Sequence, residues 1–247
     1  MSLSLVREPS SKEIWRPYLE NPLIAALDVD TDVAALKMCE QLEDIAAGFK
    51  VGPRLVVRYG SELLKKITAY GKLFVDMKYF DIPSTMQSAV KASFEAGATF
   101  VTVHALAGKD HLTSLAALEA ELNSVRPFKI LCVTMLTSFD EKNRSQLLSA
   151  EPVSKNISQL IDDVKASGLT GLVCSPQDLP LTEGKGLYVV TPGIRHPHDL
   201  SQDQKRTASP REALEGGASA YVVGRPIIES TSPRERALGF LVNHFDL

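Results

Sequence analysis

The sequence predicts an α/β protein whose strands close into a (β/α)8 TIM barrel. Three observations carry this. Eight short β-branched or aromatic runs recur along the chain, helix-patterned segments separate most of them, and 247 residues accommodate eight such units in one domain, 1–247. Eight units at this length favour closure over an open doubly wound sheet.

The first run, LIAALDV (23–29), precedes the helix-patterned DVAALKMCEQLEDIA (32–46). AGFKVG (47–52) precedes SELLKKITAY (61–70), and KLFVDMKY (72–79) precedes TMQSAVKASFEAG (85–97). FVTVHA (100–105) is followed by DHLTSLAALEAEL (110–122), and KILCVTML (129–136) by VSKNISQLIDDVKASG (153–168). GLVCSP (171–176), LYVVTPG (187–193) and AYVVGRP (220–226) complete the set with less regular connections.

Apolar residues in the helical segments recur at three- and four-residue steps, which places Met38, Leu42, Leu63, Leu64 and Ile67 on core faces. Gly48, Gly97 and Gly168 read as helix stops before the next strand. The third strand is nearly continuous in apolar character, as strands buried on both faces are. GIRHPHDLSQDQKRTASPRE (193–212) is polar with no helical face and reads as a lid. Trp15 reads as packing an N-terminal helix against the barrel.

Composition excludes several classes. Apolar residues make up 44% and charged residues 23%, as in globular proteins. The net charge of −3, with no long like-charge run, leaves no footprint for nucleic acid or an anionic membrane. Arg7, Glu8 and Lys12 interrupt any signal-like apolar stretch, and no run suits a membrane span, so a cytoplasmic location is expected. Cys39, Cys132 and Cys174 are odd in number and far apart, and read as packing residues. His196 and His198 form an H-x-H in the lid with no comparable carboxylate or cysteine nearby, so no metal is expected there.

On a barrel the site lies at the C-terminal strand ends. Those ends offer Asp28, Lys50, Asp76, Lys78, His104, Thr134, Thr137, Thr191, Arg195 and Arg225. Asp76 and Lys78 stand two apart on one strand and so share a face. Two lysines and two or three aspartates can therefore converge. As a stability device such a network is poor, because buried ion pairs often fail to recover their desolvation cost; as a reactive one it is plausible. TPGIR and VVGRP place glycines and arginines after strands 7 and 8, where barrels hold phosphate, and make Gly193, Gly224 and Arg225 the candidates.

With those residues in place, the chain from about Leu23 to Pro226 resembles the orotidine 5′-phosphate decarboxylase family. The resemblance rests on Asp76-Met77-Lys78-Tyr79-Phe80-Asp81-Ile82-Pro83-Ser84-Thr85, similar to the family's D-x-K-x-x-D-I-P-x-T. Ala26-Leu27-Asp28, Lys50-Val51-Gly52, Thr191 to Arg195 and Val223-Gly224-Arg225 support it. D-x-K-x-x-D alone is shared with sugar-phosphate relatives; the Ile-Pro-x-Thr extension and TPGIR are more selective. The chain departs at Ser84, where asparagine is common, and at Phe80, where histidine is common.

The resemblance implies cofactor-independent decarboxylation of orotidine 5′-phosphate to UMP, the last step of pyrimidine nucleotide synthesis. It implies that Lys50, Asp76 and Lys78 with Asp81 form a charged tetrad, with Lys78 as proton donor. It further implies a homodimer in which Asp81, Ile82 and Thr85 reach the neighbouring site. Asp28 and Lys50 would bind the ribose, Thr137 and Pro192 would border the pyrimidine, and Gln204, favoured over Gln202 by D-Q-x-R, would hold the phosphate with Gly224 and Arg225.

Two alternatives stand beside this reading. A metal-dependent keto-sugar-phosphate decarboxylase or aldolase-like synthase shares D-x-K-x-x-D but needs an acidic ligand near strand 2, where this chain has Lys50. A non-catalytic nucleotide-binding barrel would have little use for all four charges.

Overall fold

The computed structural model describes residues 21–139, 142, 151–196, 199 and 206–245. Eight parallel strands form a closed barrel in sequence order: β1 (Leu23–Ala26), β2 (Gly48–Val51), β3 (Lys72–Tyr79), β4 (Ala98–His104), β5 (Lys129–Val133), β6 (Gly171–Val173), β7 (Tyr188–Thr191) and β8 (Ala220–Val223). The first five strands lead into α1 (Asp32–Leu42), α2 (Pro53–Ile67), α3 (Pro83–Glu95), α4 (Lys109–Asn123) and α5 (Val153–Ser167). After β6 comes a 3-10 helix, Pro176–Thr182, then α6 (Pro210–Glu215) after β7 and α7 (Arg225–Ile228) with α8 (Pro233–Phe245) after β8. Trp15, His198, Gln202 and Gln204 lie outside the described residues.

The helices follow local chemistry. Thr31 caps α1 by accepting from the Ala34 N–H, and Ala35, Met38, Cys39 and Leu42 form its buried stripe. Pro53 and Pro83 open α2 and α3, where a missing N–H costs nothing. The expected core residues Met38, Leu42, Leu63, Leu64 and Ile67 are all buried. α2 starts eight residues before the segment read as helical, and Gly60, at φ 58°, kinks it.

Strand alternation divides the core in two. Outward residues such as Leu73, Val75, Val101 and Val103 pack beneath the helices. Inward residues Ile24, Ala26, Phe74, Phe100, Leu131, Tyr188, Val190, Ala220 and Val222 fill the barrel. Phe100 stacks on Tyr188 at 5.8 Å and meets Phe74 edge-on at 6.1 Å, forming an aromatic plug below the mouth.

Gly168, left-handed at φ 92°, ends α5, and Gly97, at φ 100°, follows α3, both as expected of helix stops. Gly48 does not act this way. α1 ends at Leu42, and Gly48 is the first residue of β2, where an added Cβ would sit 2.4 Å from the Lys72 carbonyl oxygen. Gly48→Ala is therefore expected to cost roughly 2–3 kcal/mol through overpacking of the β2–β3 contact. Urea unfolding measures it, and unchanged stability would show that the strands separate without strain.

Candidate active site

Charged side chains from three adjacent strands meet in a cavity of about 470 Å³ at the C-terminal mouth. Lys50, opposite Ala26 in the β1–β2 register, points inward from β2. Asp28 is two residues further along the chain, past the end of β1, so the pair is staggered rather than level. The Lys50 Nζ lies 3.6 Å from Asp28 Oδ1 and 3.3 Å from Asp76 Oδ2. Asp76 Oδ1 accepts from Lys78 Nζ at 2.8 Å and from Thr102 Oγ1 at 2.9 Å. The charges thus alternate along the mouth: Asp28, Lys50, Asp76, Lys78.

Burial opposes ionisation here, and the alternation answers it. Desolvation alone would raise the Asp76 carboxyl, yet the Lys50 and Lys78 ammonium groups, with hydrogen bonds from Lys78 and Thr102, hold it below the ordinary aspartate value. Desolvation alone would lower Lys50, but Asp76 and Asp28 carry it above the ordinary lysine value. Burial, then the nearby Lys78, lowers His104, favouring the neutral ring. Its Nδ1 accepts from the Leu106 N–H, which assigns the ring proton to Nε2.

Asp76 and Lys78 do not meet by simple alternation. Val75 pairs with Val101 and Tyr79 with Val103, so Asp76, Met77 and Lys78 all face the single residue Thr102. The strand bulges there, and Lys78, at φ 49°, is the one non-glycine residue with positive φ among those described. Strain of this kind persists only where the surroundings impose it.

Asp28, Lys50, Asp76, Lys78, Thr137, Pro192, Gly193, Gly224 and Arg225, all expected at the site, line the cavity. Thr134 does not; its hydroxyl donates to the Val173 carbonyl. Asp81, Ile82 and Thr85 do not line it either, and lie exposed past β3, where the Asp81 carboxylate accepts from the Ile82 N–H at 2.7 Å. Phe80 and Ile82, 61% and 62% exposed, flank Asp81 with apolar surface.

Arg195, offered by the sequence at the end of strand 7 beside the phosphate candidates, lines the cavity with Arg225. Two further residues, Arg206 and Thr102, do not stand out in the sequence. Arg206 is buried, donates to both carboxylate oxygens of Asp178, and reaches the Leu136 carbonyl at 3.1 Å, tying the chain after β7 to the loop after β5. Thr102 has the inward parity of His104, a signal available in FVTVHA but not used. The three cysteines are buried and free, and burial pushes the Cys39 thiol up to about 12, as packing residues would show. His196 packs on the Phe240 ring at 4.3 Å. Among the described residues no three His, Cys, Asp or Glu side chains gather as metal ligands, and no helix is long and apolar enough to cross a membrane.

Comparison with known proteins places this geometry among relatives. Residues 21–240 match the family described as orotidine 5′-phosphate decarboxylase / HUMPS. A protein of Nitrosococcus oceani named orotidine 5′-phosphate decarboxylase is 38% identical over 215 residues, which span 85% of this chain and 92% of that one. Its namesake in Carboxydothermus hydrogenoformans is 38% identical over 225 residues, spanning 89% and 94%. The crystal structure of orotidine 5′-phosphate decarboxylase from Lactobacillus acidophilus matches with a TM-score of 0.78 at 33% identity, over 92% of this chain and 100% of that one.

Proposed function

Because the chain belongs to the orotidine 5′-phosphate decarboxylase / HUMPS family, we propose that it converts orotidine 5′-phosphate to UMP and CO2, the last step of UMP synthesis, with protein groups alone. The observation that carries this reading is the alternating row Asp28, Lys50, Asp76, Lys78 at the mouth of a barrel cavity of about 470 Å³.

The chemistry asks for such a row. When the bond from C6 to the carboxyl carbon breaks, its electron pair stays on C6, where the ring offers little delocalisation. An ammonium beside C6 stabilises that charge as it develops and then donates the proton that replaces CO2. Lys78 does both, and its neutral amine regains a proton from solvent. Asp76 holds that ammonium in place at 2.8 Å. Phe74, Val133, Val173 and Val190 wall the cavity with apolar surface, where charge interactions are screened less than in water. Asp28 and Lys50 hold the ribose hydroxyls, and Thr137 and Pro192 border the ring. Gly224 and Arg225, with Gln204, hold the phosphate.

Arg225→Ala is expected to raise KM roughly 10- to 100-fold with a smaller change in kcat, as loss of a charged hydrogen-bond donor does. Steady-state kinetics reads it, and an unchanged KM would remove Arg225 from the phosphate site.

The enzyme works as a homodimer of single-domain subunits in the cytoplasm. Asp81, Ile82 and Thr85 serve the neighbouring site. What supports this is the exposure of Phe80 and Ile82 on either side of an Asp81 that does not line its own subunit's cavity.

Against the metal-dependent alternative stands Lys50, whose ammonium sits between Asp28 and Asp76, where a cation would meet its charge. The deciding experiment incubates purified protein separately with orotidine 5′-phosphate and with a keto-sugar-phosphate acid, each with and without chelator. Equimolar UMP and CO2 from the first, chelator or not, is the expected result. Turnover of the second alone, abolished by chelator, would overturn the reading.

A further inference from the structure

We propose that the Thr102 hydroxyl is a positioning group that fixes both ends of the Asp76–Lys78 pair, so that the placement of the proton donor depends on one buried oxygen of β4. The proposal rests on the decarboxylase reading for its assay and on the bulge for its physical argument.

The bulge takes the Lys78 N–H out of the regular ladder, since three residues of β3 face one of β4. That N–H donates instead to Thr102 Oγ1 at 2.9 Å. A backbone amide can only donate, so the hydroxyl accepts there and its single proton is left for Asp76 Oδ1, also 2.9 Å away. The same Oδ1 accepts from Lys78 Nζ at 2.8 Å. One hydroxyl thus holds the left-handed backbone of Lys78, at φ 49°, and orients the carboxylate that anchors its ammonium. Thr102 is 0% exposed, so solvent does not replace the hydroxyl, and both partners would lose a hydrogen bond together. It does not line the cavity, so it acts through Asp76 and Lys78 rather than on substrate.

Two matched pairs isolate the hydroxyl. Thr102→Val removes it from a side chain of nearly the same shape, while Thr102→Ser and Thr102→Ala differ from each other by the hydroxyl alone. With orotidine 5′-phosphate, Val and Ala should lower kcat roughly 10- to 100-fold, the scale of a lost hydrogen bond to a charged group. KM should stay within about 3-fold of wild type, and Ser should recover kcat to within about 3-fold. Equal kcat for Ser and Ala, wild-type kcat for Val, or losses confined to KM would overturn the proposal. If Val does not fold, the Ser and Ala pair decides. An inactive wild type would instead sink the decarboxylase reading, and the proposal with it.

Discussion

Replacing Lys78 with alanine is expected to leave a folded protein whose kcat/KM for orotidine 5′-phosphate falls by roughly 10⁴-fold, the combined scale of proton donation and electrostatic stabilisation. The side chain is 36% exposed, so truncation removes little packing, and the lost function is the ammonium beside Asp76. UMP should still bind, since the ribose and phosphate groups are untouched. The strained backbone supplies a second readout. At φ 49° an L side chain is disfavoured, so Lys78→Gly should be about 1 kcal/mol more stable than Lys78→Ala while equally inactive. Substantial turnover by either variant would remove Lys78 as the donor. Equal stability of the two would show that the left-handed conformation carries no strain.

Asp76→Asn is expected to harm both activity and stability. Lys50 keeps only Asp28, at 3.6 Å, and Lys78 loses the carboxylate 2.8 Å away. Removing one partner of a buried ion pair costs about 3–5 kcal/mol, and the low end applies here because Lys78 can turn toward solvent. kcat/KM should fall roughly 10³-fold, as the ammonium loses its orientation. The sign of the pH dependence follows from the lowered Asp76 value. Its stabilising contribution is complete above the ordinary aspartate value of 3.8 and is lost as pH falls through the depressed value. The stability gap between wild type and Asp76→Asn should therefore be full at neutral pH and narrow in acid below 3.8. Urea unfolding at several pH values measures it, and a gap independent of pH would mean the Asp76 charge does not stabilise the fold.

The barrel was legible because each strand is a short apolar run and each of the first five helices shows a clear apolar stripe. The charged row was legible because Asp28, Lys50, Asp76 and Lys78 stand where the inward faces reach the mouth. The bulge was not. KLFVDMKY reads as an unbroken strand, and nothing local distinguishes a regular Lys78 from one at positive φ; the irregularity exists only in the pairing with β4. The inward parity of Thr102 is legible from His104 two residues on, but its part in the charged row is not, since a threonine in a strand is ordinary until its partners are known. Gly48 was misread because glycine serves both helix ends and close strand approach, and only the position of Lys72 separates the two.

If this row of protein charges decarboxylates orotidine 5′-phosphate on its own, activity survives the removal of every metal ion. Following orotidine 5′-phosphate absorbance after adding chelator-treated wild-type protein tests it most directly. Complete conversion to UMP at a rate the chelator does not change is expected; absorbance that stays constant, or falls only when a divalent cation is restored, would show that the protein charges do not suffice.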